Sequence, residues 1–189
     1  MQEINKEGQS LLTENSVDHS DLDTLASICH PPVSHRTAVI GVGNRLWGDD
    51  GAGPELLKRF MEEWEGREPP SNSQGKCFFI DAGEFPEDWL IRVVDLEPDM
   101  ILVIDAMDLH AEPGSVAVLE SEALPEAVCT STHRLPLRTL LQLWEEKGSK
   151  AFVLGIQPKD VIFKEGLSRE VQMSIDSLAQ FFLRRHCVE

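Results

Sequence analysis

The densest chemistry in the chain lies in one run, Gly41-Val42-Gly43-Asn44-Arg45-Leu46-Trp47-Gly48-Asp49-Asp50-Gly51-Ala52-Gly53. Glycines at this density make a tight loop whose backbone a partner can approach closely. A dinucleotide loop is the first competitor, but Leu46 stands where the third glycine of G-x-G-x-x-G belongs, and no Gly-Lys-Ser/Thr follows to make a P-loop. Asp49 and Asp50 would also repel a phosphate from the start of the next helix. Acidic residues there often only complement the helix dipole. Two in succession within a glycine-rich loop point instead to carboxylate chemistry.

Two more carboxylates close apolar runs: Asp81 after Cys77–Ile80 and Asp105 after Met100–Ile104. A single aspartate in such a place is commonly a cap or turn former. Two of them, with the Asp50 loop between, are expected to converge at one rim of a sheet. Carboxylates held close repel unless a cation or shared protons intervene, and a cation is the economical answer. His133, in the loop Ser131-Thr132-His133-Arg134, is a candidate to supply an imidazole nitrogen to the same rim, although a lone loop histidine is a ligand in only a minority of cases. Cys129 lies near it but reads as a buried thiol, and the chain shows no credible Ser–His or Cys–His nucleophile pair. Cys29, His30 and His35 fall in a polar stretch and read as part of a tail that contains histidines.

Ala38–Val42 is a continuously apolar run suited to a strand buried on both faces. Pro54 fits the first turn of a helix, with Leu56, Leu57, Phe60, Met61 and Trp64 on its apolar face. A Pro/Ser/Asn-rich loop at 68–74 precedes the second strand, Cys77–Ile80. A helix over Glu87–Leu96 leads to the third, Met100–Ile104. The fourth, Ser115–Leu119, follows too closely for a crossover helix and is expected to run antiparallel to the third. A helix from Pro136 (Leu137, Leu140, Leu141, Trp144), a fifth strand Ala151–Ile156 and a last helix (Val171, Ile175, Leu178, Phe182) complete the pattern.

Strands alternating with helices predict an α/β fold, a three-layer α/β/α sandwich. Its twisted five-stranded sheet is mostly parallel with one antiparallel strand, and helices cover both faces. Ligands in such sheets bind beyond the carboxyl ends of the strands, where Asp50, Asp81 and Asp105 are expected. Residues 1–35 read as a flexible extension carrying one short helix near Asp21–Ile28, and 36–189 as the single folded domain.

Composition limits the partners. With 33 acidic and 17 basic residues the formal charge is −16, which disfavours nucleic acid and anionic membrane surfaces and suits metal cations or a basic polypeptide. No apolar run is long enough for a membrane span, no secretory signal is visible, and the four scattered cysteines fit reduced thiols. A cytoplasmic monomer is expected.

Five pieces occur in order: G-x-G-N-x-x-x-G-D-D-G-x-G, I-D-A-G, V-I-D-A-M-D, S-T-H-R-L-P-L and L-G-I-Q-P. Together, over about Thr37 to Phe182, they resemble the hydrogenase maturation endopeptidases, nearest to the class that processes formate-hydrogenlyase-type enzymes. The resemblance implies that Asp50, Asp105 and His133 bind nickel. It also implies that the nickel arrives already bound to the precursor large subunit of a nickel-iron hydrogenase, and that the C-terminal extension is then cut after His or Arg. Asp81 matches a position tied to cleavage or substrate recognition, so Asp50 and Asp81 are the catalytic candidates and Gly43, Asn44 and Asp81 the substrate-binding ones. Gln157 and Pro158 match the last motif without an assigned role. The N-terminal 35 residues exceed the family's usual length. Two other readings are a non-cleaving nickel-dependent chaperone that docks on the large subunit, and a nucleotide-using α/β enzyme, which the acidic loop disfavours.

Overall fold

The computed structural model describes Leu25 and residues 35–65, 76–124 and 135–185. The expected loop at 68–74, Cys29, His30, Cys129, His133 and, apart from Leu25, the expected helix near Asp21–Ile28 lie outside them.

Five strands form one sheet: β1 (Arg36–Val42), β2 (Lys76–Gly83), β3 (Met100–Ala106), β4 (Val116–Glu120) and β5 (Lys150–Ile156). Their order is β2-β1-β3-β5-β4. The pairs β1–β2, β1–β3 and β3–β5 are parallel, and β4 lies antiparallel on β5 at the edge. β4 therefore opposes β3 in direction without pairing with it. The chain leaving β3 crosses the carboxyl end of β5, where the Met107 N–H donates to the Ile156 carbonyl at 3.0 Å and the Gly114 N–H to that of Gln157 at 2.9 Å. It then returns along the far side of β5. No spacing in the sequence distinguishes this path from a simple hairpin.

Four helices are described: α1 (Ala52–Glu65), α2 (Leu90–Asp95), α3 (Leu137–Glu145) and α4 (Arg169–Arg185). Glu87–Leu96, expected as one helix, is a 3-10 turn over Pro86–Trp89 followed by α2. Alternation along the strands sends odd and even side chains to opposite faces. One face packs Val39, Leu102, Ile104, Leu154 and Ile156 against Leu56, Leu57 and Phe60 of α1 and Val171, Ile175 and Leu178 of α4. Leu25 is fully buried in that same layer. Met61, expected on the buried stripe of α1, is partly exposed at its margin. The other face packs Ile40, Val42, Ile101, Val103 and Val153 against Val93 of α2 and Leu140, Leu141 and Trp144 of α3. The indole N–H of Trp144 donates to the Leu90 carbonyl at 3.3 Å, tying α3 to α2. Burying each large apolar side chain contributes roughly 1.5–3 kcal/mol, so the two layers hold the sheet rim rigidly. Among the described residues no helix is long and apolar enough to cross a membrane.

Candidate functional site at the carboxyl rim

The glycine-rich run leaves β1 at Val42, and Gly43 turns it with φ +127°. A Cβ on Gly43 would overlap the carbonyl oxygen of Asp50, so only glycine lets the two ends of the loop meet here. The Asn44 N–H donates to Oδ2 of Asp50 at 2.7 Å, while the Asn44 side-chain oxygen accepts the Leu46 N–H at 2.9 Å. Gly48–Gly51 form a 3-10 turn that runs directly into α1. This turn packs against β3, and a Cβ on Gly53 would strike the carbonyls of Val42 and Ile104. The acidic loop is thereby pressed onto the ends of β1 and β3. Asp105, only 7% exposed, sits at that end of β3.

The two aspartates of the pair have different surroundings. Asp49 is 1% exposed, and its carboxylate accepts three backbone N–H groups: Ser168 at 2.6 Å, Lys159 at 2.8 Å and Asp160 at 3.1 Å. Burial pushes its pKa up, but the N–H donors of Ser168, Lys159 and Asp160 outweigh burial and hold it below the ordinary carboxyl value. Asp49 therefore fastens the loop after β5 to the loop after β1. Further backbone bonds add to the seam: Gly48 N–H to Lys164 carbonyl at 2.7 Å, Lys164 N–H to Leu46 carbonyl at 2.9 Å and Asp49 N–H to Asp160 carbonyl at 3.0 Å.

Asp81 and Asp105 share the rim but not a face. In the sheet register Asp81 stands level with Gly41, which stands level with Ile104. Asp81 follows the alternation of Phe79 on the α1/α4 side, whereas Asp105 follows Val103 on the α2/α3 side. Asp81 is half-exposed and ion-paired, its Oδ2 2.8 Å from Nη1 of Arg45. Nη2 of Arg45 donates to the Pro54 carbonyl at 2.9 Å, and the Gly83 N–H reaches Oδ1 of Asp81 at 3.3 Å. Arg45 thus ties Asp81 to the acidic loop, a role that sequence reasoning did not assign. Its position within the loop, next to Asn44, is the only signal that could have drawn attention to it.

Gln157 also acquires a role. Its Oε1 accepts the N–H groups of Leu109 at 2.7 Å and Ala111 at 3.3 Å, pinning the segment that follows Asp105 over the end of β5. Among the described residues no three His, Cys, Asp or Glu side chains are grouped to hold a metal. The expected third ligand, His133, is outside those residues. On donor chemistry alone, two carboxylates and an imidazole form a borderline set that accepts a first-row divalent ion such as nickel.

A family model described as hydrogenase maturation protease matches residues 55–185. The chain is 29% identical over 139 residues to the hydrogenase 3 maturation protease of Escherichia coli K12, covering 74% of this chain and 83% of that one. The solution structure of the endopeptidase HycI from Escherichia coli superposes with a TM-score of 0.62 at 28% identity, covering 77% of this chain and 87% of that one. The crystal structure of the maturation protease HycI from Thermococcus kodakarensis reaches a TM-score of 0.68 at 24% identity, covering 85% and 97%, and attests the fold.

Proposed function

The chain belongs to the hydrogenase maturation protease family, and from that premise we propose that it removes the C-terminal extension of a nickel-iron hydrogenase large-subunit precursor after nickel has been inserted. Nickel in this reading is part of the substrate. Asp50, Asp105 and His133 contact it from the protease side while the precursor's own ligands hold it from the other. The observation that supports this most is the packing of the Asp50 turn against β3, the strand that carries Asp105. Two carboxylates then come from neighbouring elements braced by the core, the rigidity a recognition site requires.

The coupling is thermodynamic. Nickel that bridges both proteins adds affinity only for the loaded precursor, so cleavage follows metal insertion. In the cleavage step a water oxygen adds to the scissile carbonyl carbon, the C–N bond breaks, and the water proton passes by way of a carboxylate to the departing amine. Asp50 and Asp81 are the proposed carriers of that proton. Gly43, Asn44 and Asp81 border the peptide. Gly43 does so by letting the loop close on the Asp50 carbonyl, and Asp81 by the orientation that Arg45 gives it. The chain acts as a cytoplasmic monomer.

Single alanine variants at Asp50, Asp105 and His133 test the assignment. Each is expected to abolish release of the C-terminal peptide from nickel-loaded precursor, followed by mass spectrometry. Wild-type processing by all three would refute the site. Intact precursor with the unsubstituted protein would favour a non-cleaving chaperone.

A further inference from the structure

Beside the acidic loop the fold exposes five apolar side chains from two segments. Leu46 and Trp47 are 47% and 43% exposed, and Val161, Ile162 and Phe163 are 51%, 53% and 75% exposed. The rings of Trp47 and Phe163 meet edge to face with centroids 5.8 Å apart, and Trp47 forms a parallel bridge with Lys164. The two segments are joined by the backbone seam and by the Asp49 carboxylate that bonds Lys159, Asp160 and Ser168. A loop held this firmly presents its apolar side chains in a fixed arrangement, so little ordering entropy is left to lose when a partner covers them.

We propose that Leu46, Trp47, Val161, Ile162 and Phe163 form the docking platform for an apolar, basic-flanked segment of the precursor large subunit. This rests on the protease reading and extends it to a second contact with the same substrate. Two observations choose this occupant. The platform is continuous with the candidate site: Trp47 immediately precedes the 3-10 turn that contains Asp50, and its carbonyl accepts the Asp50 N–H at 3.4 Å. A chain of formal charge −16 also attracts a segment whose apolar side chains are flanked by lysine or arginine. Exposed apolar clusters rimmed by polar groups are the ordinary mark of such interfaces, and Trp is among the residues that dominate their energetics.

Two experiments on the full chain decide the matter. In the first, initial rates are measured against the concentration of nickel-loaded precursor for the wild type, Phe163→Asp and Ile162→Ser, with circular dichroism to verify folding. The platform predicts a KM raised about tenfold or more, with kcat changed by less than about twofold. An unchanged KM in both variants overturns it. In the second, p-benzoylphenylalanine is placed at position 163 and irradiated with the precursor present. A cross-link to the precursor is expected. No cross-link, or one only to a second copy or to residues 1–34 of the same chain, overturns the proposal. If the wild type fails to cut the precursor, the protease reading fails, and the cross-link still reports independently on docking.

Discussion

The Asn44 N–H donates to Oδ2 of Asp50 at 2.7 Å, so the residue that opens the acidic loop holds the carboxylate near its end. That closure depends on the Gly43 backbone at φ +127° and on the absence of a side chain facing the Asp50 carbonyl. Gly43→Ala is therefore expected to cost about 2–4 kcal/mol in chemical denaturation. It should also abolish processing, although no reactive group has been removed. A variant with wild-type stability and activity would show that the loop closes without this contact.

Asp49 should behave as a structural residue. Asp49→Asn turns an amide toward backbone N–H donors in place of an acceptor oxygen, and a loss of about 2–4 kcal/mol is expected by urea denaturation. The pH dependence follows from the sign of its shift. The folded pKa lies below the ordinary value of 3.8. The stabilisation is therefore fully present above that value and fades as pH falls from there through the folded pKa. The stability gap between wild type and Asp49→Asn should stay level above about pH 5 and narrow below about pH 4. A gap that widened on acidification would contradict the assignment.

The Arg45–Asp81 pair predicts a separation of stability from function. An exposed ion pair contributes about 0–1 kcal/mol, so Arg45→Ala and Asp81→Asn should melt within a few degrees of the wild type. Asp81→Asn is nonetheless expected to slow processing by about 10²-fold or more, the scale of a lost general acid–base group. Normal turnover in Asp81→Asn would remove that residue from the reaction.

Gln157 can be checked without an activity assay. Gln157→Ala leaves the Leu109 and Ala111 N–H groups without their shared acceptor. Their amides should exchange with deuterium faster, by about tenfold for each 1.4 kcal/mol of local opening, while amides in β1 stay protected. Unchanged exchange at both positions would mean that the loop is held by other contacts.

How much of this was legible in the sequence depends on how far away the partners lie. Ala38–Val42 and Ile101–Ile104 are apolar throughout, and both are central strands buried on two faces, so the layer order follows from local pattern. The register of Asp81 and Asp105 could also be read by counting along their strands: Asp81 alternates with Phe79, and Asp105 with Val103. Strand-end position alone suggested convergence and missed the opposite faces. The difference between Asp49 and Asp50 was not readable. They are adjacent and chemically identical, and the groups that bury Asp49 come from Lys159, Asp160 and Ser168, at the far end of the chain. The placement of β4 beyond β5 is non-local in the same way, since Met107 and Gly114 meet β5 only in the fold. His133 lies outside the described residues, and its place beside Asp50 and Asp105 rests on the family resemblance.

The most direct test of the central claim is the mass of the large-subunit precursor after incubation with this protein, with nickel loaded and with nickel withheld. Loss of the C-terminal peptide only from the loaded precursor, and none with Asp50→Ala, is the predicted result. Equal cleavage of the nickel-free precursor, or cleavage that survives Asp50→Ala, would contradict it.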